Sequence, residues 1–290
     1  MGNFLFMISE TRKINLRDGE VLHLDLVETG SPVWIVVSHG LGEHCERHQY
    51  LHTLFSQYFN ICLYDLRGHG HSTGKRAYVE NFKDYCQDLG EVLDYLKENY
   101  HMKRYVLFGH SMGGLVTASY MQNEVSEDFY PEKVFLSAPA GGGAGPIGAV
   151  IKLAPLKLLQ TLSSFSLSAP VAGVLDLTKL SHDPRVYENY INDPLNCLKV
   201  HTKLFAEILR EGREVFSRPL RVKCDLFCAQ GTDDQLVDPN GNIDYFKNVE
   251  KNCKLLVVDG GFHEMHNEIE KYRQPYIKFL KDSIMDSIIS

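Results

Sequence analysis

Basic residues do not outnumber acidic residues in this sequence. It has 30 Lys and Arg against 37 Asp and Glu in 290 residues, a formal net charge of −7 at pH 7. A net acidic chain has no positive surface to hold the phosphates of a nucleic acid, and it lacks the polybasic surface that binds anionic lipid. We therefore exclude nucleic acid as a partner.

Long apolar segments and targeting signals are also missing. The uncharged stretch 138–151 is rich in Gly and Pro and too short to cross a bilayer. The start of the chain, MGNFLFMISETRK, has no basic residues ahead of its short apolar run, so it does not predict a signal peptide. The seven cysteines form no CxxC pair, which is typical of buried thiols in a reducing compartment. We expect a soluble, cytoplasmic protein.

Six short apolar runs show little alternation between apolar and polar residues. Strands that are buried on both faces have this pattern, as in parallel sheets. Before these runs, apolar and polar residues alternate on either side of Asp18-Gly19, which predicts an antiparallel β-hairpin. We predict an α/β fold with a mixed, mostly parallel sheet and helices on both faces. The runs are 33–37, 61–64, 105–108, 134–136, 225–229 and 255–258. The predicted helices are about 47–58, 82–99, 112–123, 240–250 and 267–285.

The alternation of strands and helices stops between the fourth and fifth of these runs. This stretch begins with a Gly-rich tract at 141–145, continues with an apolar segment and ends in a polar helical pattern near 199–215. We predict one α/β core, residues 1–139 and 216–290, with a helical cap inserted at 140–215.

A serine follows the third run in the sequence Gly109-His110-Ser111-Met112-Gly113. In a G-x-S-x-G turn the serine lies on a sharp strand-to-helix turn, and the glycines let the strand and the helix pass closely. The helix N-terminus behind the hydroxyl favours a developing negative charge. The pattern predicts Ser111 as a nucleophile because a buried strand precedes it and a helix follows.

A nucleophilic serine needs a base, and the base needs an acid that orients it. In this architecture the order is serine, acid, histidine, with the acid and the histidine each following a later strand. Asp234 is the preferred acid, with Asp233 and Asp238 as alternatives in the same loop. His263 is the preferred base because it follows the last strand most closely, and His266 is the alternative.

Acyl transfer also needs two N–H donors aimed at the tetrahedral oxygen. Met112, directly after the nucleophile, supplies one, and Leu41 in the Gly-containing loop 38–44 is the predicted second donor. The sequence has no GxGxxG fingerprint, and the run 65–75 lacks the glycine and the hydroxyl residue of a phosphate loop. We expect no nucleotide and no other cofactor.

Histidines at helical spacing raise the question of a metal. His44, His48 and His52 fall at i, i+4 and i+8. Histidines at this spacing can ligate a metal, but solvated helix histidines are far commoner. His263 and His266 are one residue too close for the HExxH pattern. No metal is predicted.

Five segments together resemble the α/β-hydrolase fold and, within it, the monoacylglycerol lipase and lysophospholipase-like family. The resemblance covers nearly the whole chain, and the segments follow the family's order. They are SHGLGEH at 38–44, YDLRGHGHSTG at 64–74, FGHSMGG at 108–114, QGTDDQLVDP at 230–239 and GGFHEMHNE at 260–268.

The resemblance implies the same roles for the residues already singled out. Ser111 is the nucleophile, Asp234 the acid and His263 the base, with the N–H groups of Leu41 and Met112 as the oxyanion hole. It also implies polar residues that face the glycerol of a substrate. These are Glu43, Arg47, Tyr190 and His266. The cap is where the sequence departs most from the family.

The main hypothesis is a serine esterase that hydrolyses monoacylglycerol to fatty acid and glycerol through an acyl-enzyme. A lysophospholipase or broad carboxylesterase with the same triad is the alternative. A non-catalytic scaffold is the third hypothesis, ranked last because Ser, Asp and His are all present.

Apolar cap residues are expected to line an acyl tunnel and to give peripheral membrane contact, although plain packing within the cap explains them equally well. They are Ile147, Ile151, Leu156 and Leu159. The sequence leaves head-group preference and oligomeric state open.

Overall fold

The computed structural model describes residues 8–143 and 168–285, together with 155, 157, 160 and 161. The strands are β1 (Ile8–Asn15), β2 (Val21–Glu28), β3 (Val33–Ser38), β4 (Asn60–Tyr64), β5 (Arg104–His110), β6 (Lys133–Ser137), β7 (Pro170–Ala172), β8 (Lys199–His201), β9 (Asp225–Gly231) and β10 (Cys253–Val258). The α-helices are α1 (Tyr50–Phe55), α2 (Lys83–Asn99), α3 (Met112–Asn123), α4 (Pro184–Asn192), α5 (Thr202–Val215), α6 (Pro239–Asp244) and α7 (Glu270–Met285). Single turns of 3₁₀-helix lie at Cys45–His48, Leu177–Lys179 and Met265–Asn267, and a π-turn at Tyr245–Val249 follows α6.

Eight strands form one mixed sheet in the order β1-β2-β4-β3-β5-β6-β9-β10. The pairs β1–β2 and β2–β4 are antiparallel, whereas every pair from β4 to β10 is parallel. The predicted α/β-hydrolase sheet is therefore confirmed. The carboxyl ends of the parallel strands lie at one edge, where open α/β sheets place their sites.

The sheet separates two apolar cores, which explains why its central strands show no alternation. All six residues of β3 are buried. Trp34 and Val36 face the core that contains α2 and α3, whereas Ile35 and Val37 face the core that contains α1 and α7. Since both faces of β3 are covered by helices, both sets of side chains are apolar.

The chain leaves this sheet between β6 and β9. Its described part there holds α4, α5 and a short antiparallel ribbon of β7 with β8. The four residues expected to line an acyl tunnel, Ile147, Ile151, Leu156 and Leu159, lie outside the described residues. Among the helices that the structure describes, none is long and apolar enough to span a bilayer. All seven cysteines are free thiols.

Candidate active site

Ser111 lies on a strained turn between β5 and α3. Its φ is +54° and its ψ is −119°, a region that non-glycine residues rarely adopt. A Cβ on Gly113 would lie 2.1 Å from the carbonyl oxygen of Ser38, and one on Gly109 would lie 2.5 Å from that of Gly113. Both positions therefore require glycine, because the strand, the turn and the helix meet there without room for a side chain.

A chain of hydrogen bonds joins Ser111 to a histidine and a carboxylate. His263 Nε2 lies 2.9 Å from Ser111 Oγ, and His263 Nδ1 lies 2.7 Å from Asp234 Oδ2. With a proton on Nδ1 donated to the carboxylate, Nε2 is left to accept the serine proton. The three side chains come from the ends of β5, β9 and β10, as the sequence order predicts.

The loop after β9 fixes which of its three carboxylates meets the histidine. Asp234 Oδ1 accepts the N–H groups of Leu236 at 2.8 Å and Val237 at 3.1 Å, which leaves Oδ2 for His263. Asp233 is exposed. Asp238 caps α6 by accepting the N–H of Gly241 at 3.0 Å. Of the three aspartates weighed from the sequence, Asp234 is the one that the structure brings to His263.

The environment of His263 raises the pKa of its imidazole. Burial by itself lowers this pKa, but the charge of Asp234 and its hydrogen bond more than offset burial, with further support from Glu264 and Glu43. The net pKa lies above the ordinary value of 6.5. The ring is therefore a better proton acceptor than an ordinary histidine.

His266, the alternative base, is not part of this chain of hydrogen bonds. Its ring stacks on Tyr50 with centroids 4.8 Å apart, and neither of its buried nitrogens has a hydrogen-bond partner in the described structure. Burial, with the neighbouring His48 and His110, lowers its pKa well below 6.5. His266 is thus a neutral ring packed beneath the site.

Glu43 forms a buried polar cluster with the segment that follows β3. Its carboxylate accepts hydrogen bonds from the N–H of Gly40 at 2.5 Å, from Arg47 Nε at 3.0 Å and from His48 Nε2 at 3.0 Å. Burial would raise the pKa of Glu43, but His48, His110 and Arg47 hold it well below its usual range, so the group is a carboxylate.

Arg47 extends this cluster towards the last loop of the sheet. It donates to both oxygens of Glu264 at 2.6 and 2.7 Å, and its guanidinium lies 4.8 Å from the ring centre of Tyr190. Two carboxylates therefore occupy the guanidinium. Its pKa is raised, because these two charges outweigh burial.

A cavity with mostly apolar walls opens at Ser111. Leu41 and Met112, the predicted oxyanion donors, both border it. Its other lining residues are Ala140, Gly142, Gly143, Leu175, Phe205, Ile208, Leu209, Leu236 and Val237. A second cavity, lined in part by Val171, Tyr187 and Tyr190, shares Leu41 and Leu175 with the first.

Of the four residues expected to face glycerol, one lines a cavity and three do not. Tyr190 lines the second cavity. Glu43, Arg47 and His266 border neither cavity and belong to the buried cluster beneath the triad. The sequence did not predict that α5 forms an apolar wall of the cavity. The amphipathic spacing of Leu204, Ile208 and Val215 is the signal that marks a buried face of that helix.

The expectation of solvated histidines after β3 is wrong for two of the three. The 3₁₀-turn Cys45–His48 is followed by the separate helix α1, so the residues do not share one helical face. His44 is buried and lies 2.8 Å from Asp193, and His48 is buried against Glu43. His44 pairs with a residue 149 positions away, and the ring of His48 packs against the distant rings of Phe108 and His266, so local spacing did not indicate their burial.

Comparison with known proteins supports the same fold and chemistry. A family model described as serine aminopeptidase, S33, matches residues 32–270. Mouse monoglyceride lipase is 28% identical over 247 residues, covering 83% of this chain and 78% of that protein. Phospholipase YtpA of Bacillus subtilis is 27% identical over 241 residues, covering 82% of this chain and 90% of that protein.

A solved structure shows the same fold across almost the whole chain. The crystal structure of Paleococcus ferrophilus monoacylglycerol lipase aligns with a TM-score of 0.74 at 23% identity. The alignment covers 96% of this chain and 100% of that one. Since the family match spans most of the sequence and the site holds a serine, a histidine and a carboxylate in hydrogen-bond contact, the chain belongs to the serine aminopeptidase S33 family and is an α/β-hydrolase-fold serine hydrolase.

Proposed function

We propose that this protein hydrolyses monoacylglycerol to a fatty acid and glycerol, with Ser111 as nucleophile, His263 as base and Asp234 as orienting acid. The observation that carries the proposal is the continuous hydrogen-bond chain from Ser111 Oγ through His263 to Asp234, at the floor of a mostly apolar cavity. The names of the relatives support an ester of a lipid as the substrate.

The reaction follows from the positions of these atoms. His263 Nε2 takes the proton of Ser111 as Oγ attacks the ester carbonyl, and Asp234 stabilises the imidazolium that forms. The N–H groups of Leu41 and Met112 hold the oxyanion. The imidazolium then gives its proton to the leaving glycerol oxygen. Water, activated by the same histidine, hydrolyses the acyl-enzyme.

The apolar walls of this small cavity, about 40 Å³, suit the first carbons of an acyl chain next to Ser111. Side chains from α5, Phe205, Ile208 and Leu209, face Leu236 and Val237 of the loop that carries Asp234. An alkyl chain gains about 0.8 kcal/mol for each CH₂ that it buries in such a site. The second cavity, with Tyr187 and Tyr190 in its wall, is our proposed place for the glycerol.

The direct test is a hydrolysis panel of monoacylglycerols, lysophospholipids, triacylglycerols, short p-nitrophenyl esters and an aminoacyl naphthylamide. We expect the highest kcat/KM for monoacylglycerols and no turnover above background for Ser111→Ala. Preference for lysophospholipids would replace the substrate but keep the triad. Preference for the naphthylamide would overturn the esterase assignment.

We also propose that residues 140–215 form a cap that contacts membranes. Among the described residues of this segment, three large apolar side chains are exposed, Val171 by 40%, Ile191 by 36% and Leu198 by 46%, and all three border the second cavity. We expect the protein to pellet with phosphatidylcholine vesicles and the double variant Ile191→Ser, Leu198→Ser to pellet less. Absence of the wild-type protein from the vesicle pellet would remove this proposal.

A further inference from the structure

A second group of ligand-type side chains lies away from the active site, where β2 meets the segments after β3 and β4. His23 lies in β2, Cys45 begins the 3₁₀-turn after β3, and Asp65 directly follows β4. One ligand atom from each lies within 4.8 Å of the other two. The ring of His71 is centred 5.0 Å from that of His23, so a second imidazole borders the group.

Asp65 holds this arrangement in place through the backbone. Its Oδ1 accepts the N–H of Cys45 at 2.8 Å, and its Oδ2 accepts the N–H of His71 at 2.7 Å. The carboxylate thus fixes the backbone of two neighbouring ligand candidates. The Cys45 thiol also hydrogen-bonds to this carboxylate, which brings the sulfur and the carboxylate oxygens together.

The two imidazoles of this group are open to solvent. In the part of the chain that the structure describes, the ring nitrogens of His23 make no hydrogen bond, and His23 is only half-buried. The side chain of His71 is 48% exposed. Cys45 and Asp65 are buried beneath these two imidazoles.

We propose that His23, Cys45, Asp65 and His71 form a structural Zn²⁺ site. Thiolate, imidazole and carboxylate are the ligands that zinc takes in tetrahedral sites, whereas Mg²⁺ and Ca²⁺ prefer oxygen alone. Tetrahedral bonds of 2.0–2.3 Å put neighbouring ligand atoms about 3.3–3.8 Å apart, so the ligand atoms of His23, Cys45 and Asp65 would move together by about 1 Å on binding. The exposed ring of His71, next to that of His23, would turn in as the fourth ligand. The thiolate and the carboxylate balance the charge of the ion, and the thiol proton passes to solvent.

The ion would hold together the backbone on which the active site depends without entering the reaction. Cys45 is one residue after the loop 38–44, which carries Leu41 and Glu43. A Zn²⁺ ion at Cys45 would tie the end of this loop to β2 and to the segment after β4. Since binding favours the folded state, Zn²⁺ is expected to raise Tm.

The test uses the full chain, freed of metal with a chelator and then titrated with Co²⁺ and with Zn²⁺. We expect one Co²⁺ per chain with a thiolate-to-cobalt absorption band, displaced by Zn²⁺, and a rise in Tm with Zn²⁺. Cys45→Ser is expected to lose the band. His23→Gln and His71→Gln are expected to weaken Zn²⁺ binding by at least about tenfold, the lower end of what loss of a supporting contact does at metal sites.

Matched variants away from the group are Cys224→Ser and the exposed His101→Gln, both expected to bind Zn²⁺ as the wild type does. The site is overturned if the wild-type protein gives no thiolate band at saturating Co²⁺, or if the band persists in Cys45→Ser. It is also overturned if His101→Gln weakens Zn²⁺ as much as His23→Gln does. The wild-type spectrum decides the matter even where a variant fails to fold.

Discussion

Three buried histidines lie side by side in this protein. The pKa of His263 is raised, whereas those of His110 and His266 are lowered. The ring of His110 is centred 5.0 Å from that of His263, and 5.2 Å from that of His266. His263 has a partner on each nitrogen. In the described structure, Nδ1 of His110 and both nitrogens of His266 have none.

The difference shows what turns a buried imidazole into a base. Burial is the largest influence on all three rings, and it lowers the pKa of each. For His110 and His266 burial dominates, so both rings are neutral at pH 7. For His263 the carboxylate of Asp234 reverses the direction. Variants and titrations that act on His263 and not on the other two rings test this difference.

Removing the nucleophile should abolish the reaction. We expect Ser111→Ala to lower kcat by about 10⁶-fold, as loss of a triad serine does in other hydrolases. His263→Ala should lower it as much, and the double variant no further, because the two residues act as one unit. Steady-state kinetics on a monoacylglycerol measure this, with the exposed Ser126→Ala as the control. Additive losses in the double variant would contradict a shared step.

Removing the partner of His263 should impair the base and change its pH dependence. Asp234→Asn leaves the shape intact but disturbs the tautomer, and we expect kcat to fall about 10⁴-fold. The adjacent, exposed Asp233→Asn is the matched control, with kcat close to that of the wild type.

The sign of the pH shift follows from the same contact. Protonated His263 cannot accept the serine proton, so kcat/KM of the wild type falls as the pH drops through a pKa above 6.5. In Asp234→Asn the largest influence that raises this pKa is gone while burial remains. The acid limb should therefore move to lower pH, although Glu264 and Glu43 still act on the ring. A limb that stays in place would show that Asp234 does not set the pKa.

Breaking the buried cluster should affect stability more than chemistry. Glu43→Gln removes the charge that Arg47 and His48 share, although Arg47 keeps Glu264. We expect a loss of about 3 kcal/mol in the free energy of unfolding, typical of a buried ion pair deprived of one partner. Urea unfolding measures it, with the exposed Glu46→Gln as control. Equal stability of the two variants would mean that the cluster contributes nothing to folding.

The smallest effect is spectroscopic. In a histidine NMR titration the resonances of His110 and His266 should stay those of neutral rings well below pH 6.5, whereas His263 should titrate above 6.5. Assignment rests on the spectra of single histidine variants. A shared titration of the three rings would remove the contrast between them.

The sequence predicted the parts of this site that local pattern and chain order determine. Apolar runs without alternation marked the central strands, because both faces of the sheet are covered. The glycines at 109 and 113 marked the turn at Ser111, because their positions leave no room for a Cβ. Loop order placed Asp234 and His263, and the hydrogen bonds in the structure selected them from Asp233, Asp238 and His266.

Features that depend on contacts between distant residues could not be predicted. The three-residue strands β7 and β8 are too short to carry a periodic pattern. His44 pairs with Asp193, and His48 packs against the rings of Phe108 and His266, which their own helical spacing does not reveal. Three of the four proposed zinc ligands, His23, Cys45 and Asp65, come from separate segments that only the sheet brings together.

The most direct test of the account is covalent labelling with a fluorophosphonate, followed by mass spectrometry of the labelled peptide. Because His263 lies 2.9 Å from Ser111 Oγ, the account predicts a single adduct on Ser111 in the wild-type protein. It predicts strongly slowed labelling in His263→Ala and none in Ser111→Ala. An adduct on another residue, or undiminished labelling of Ser111→Ala, would contradict it.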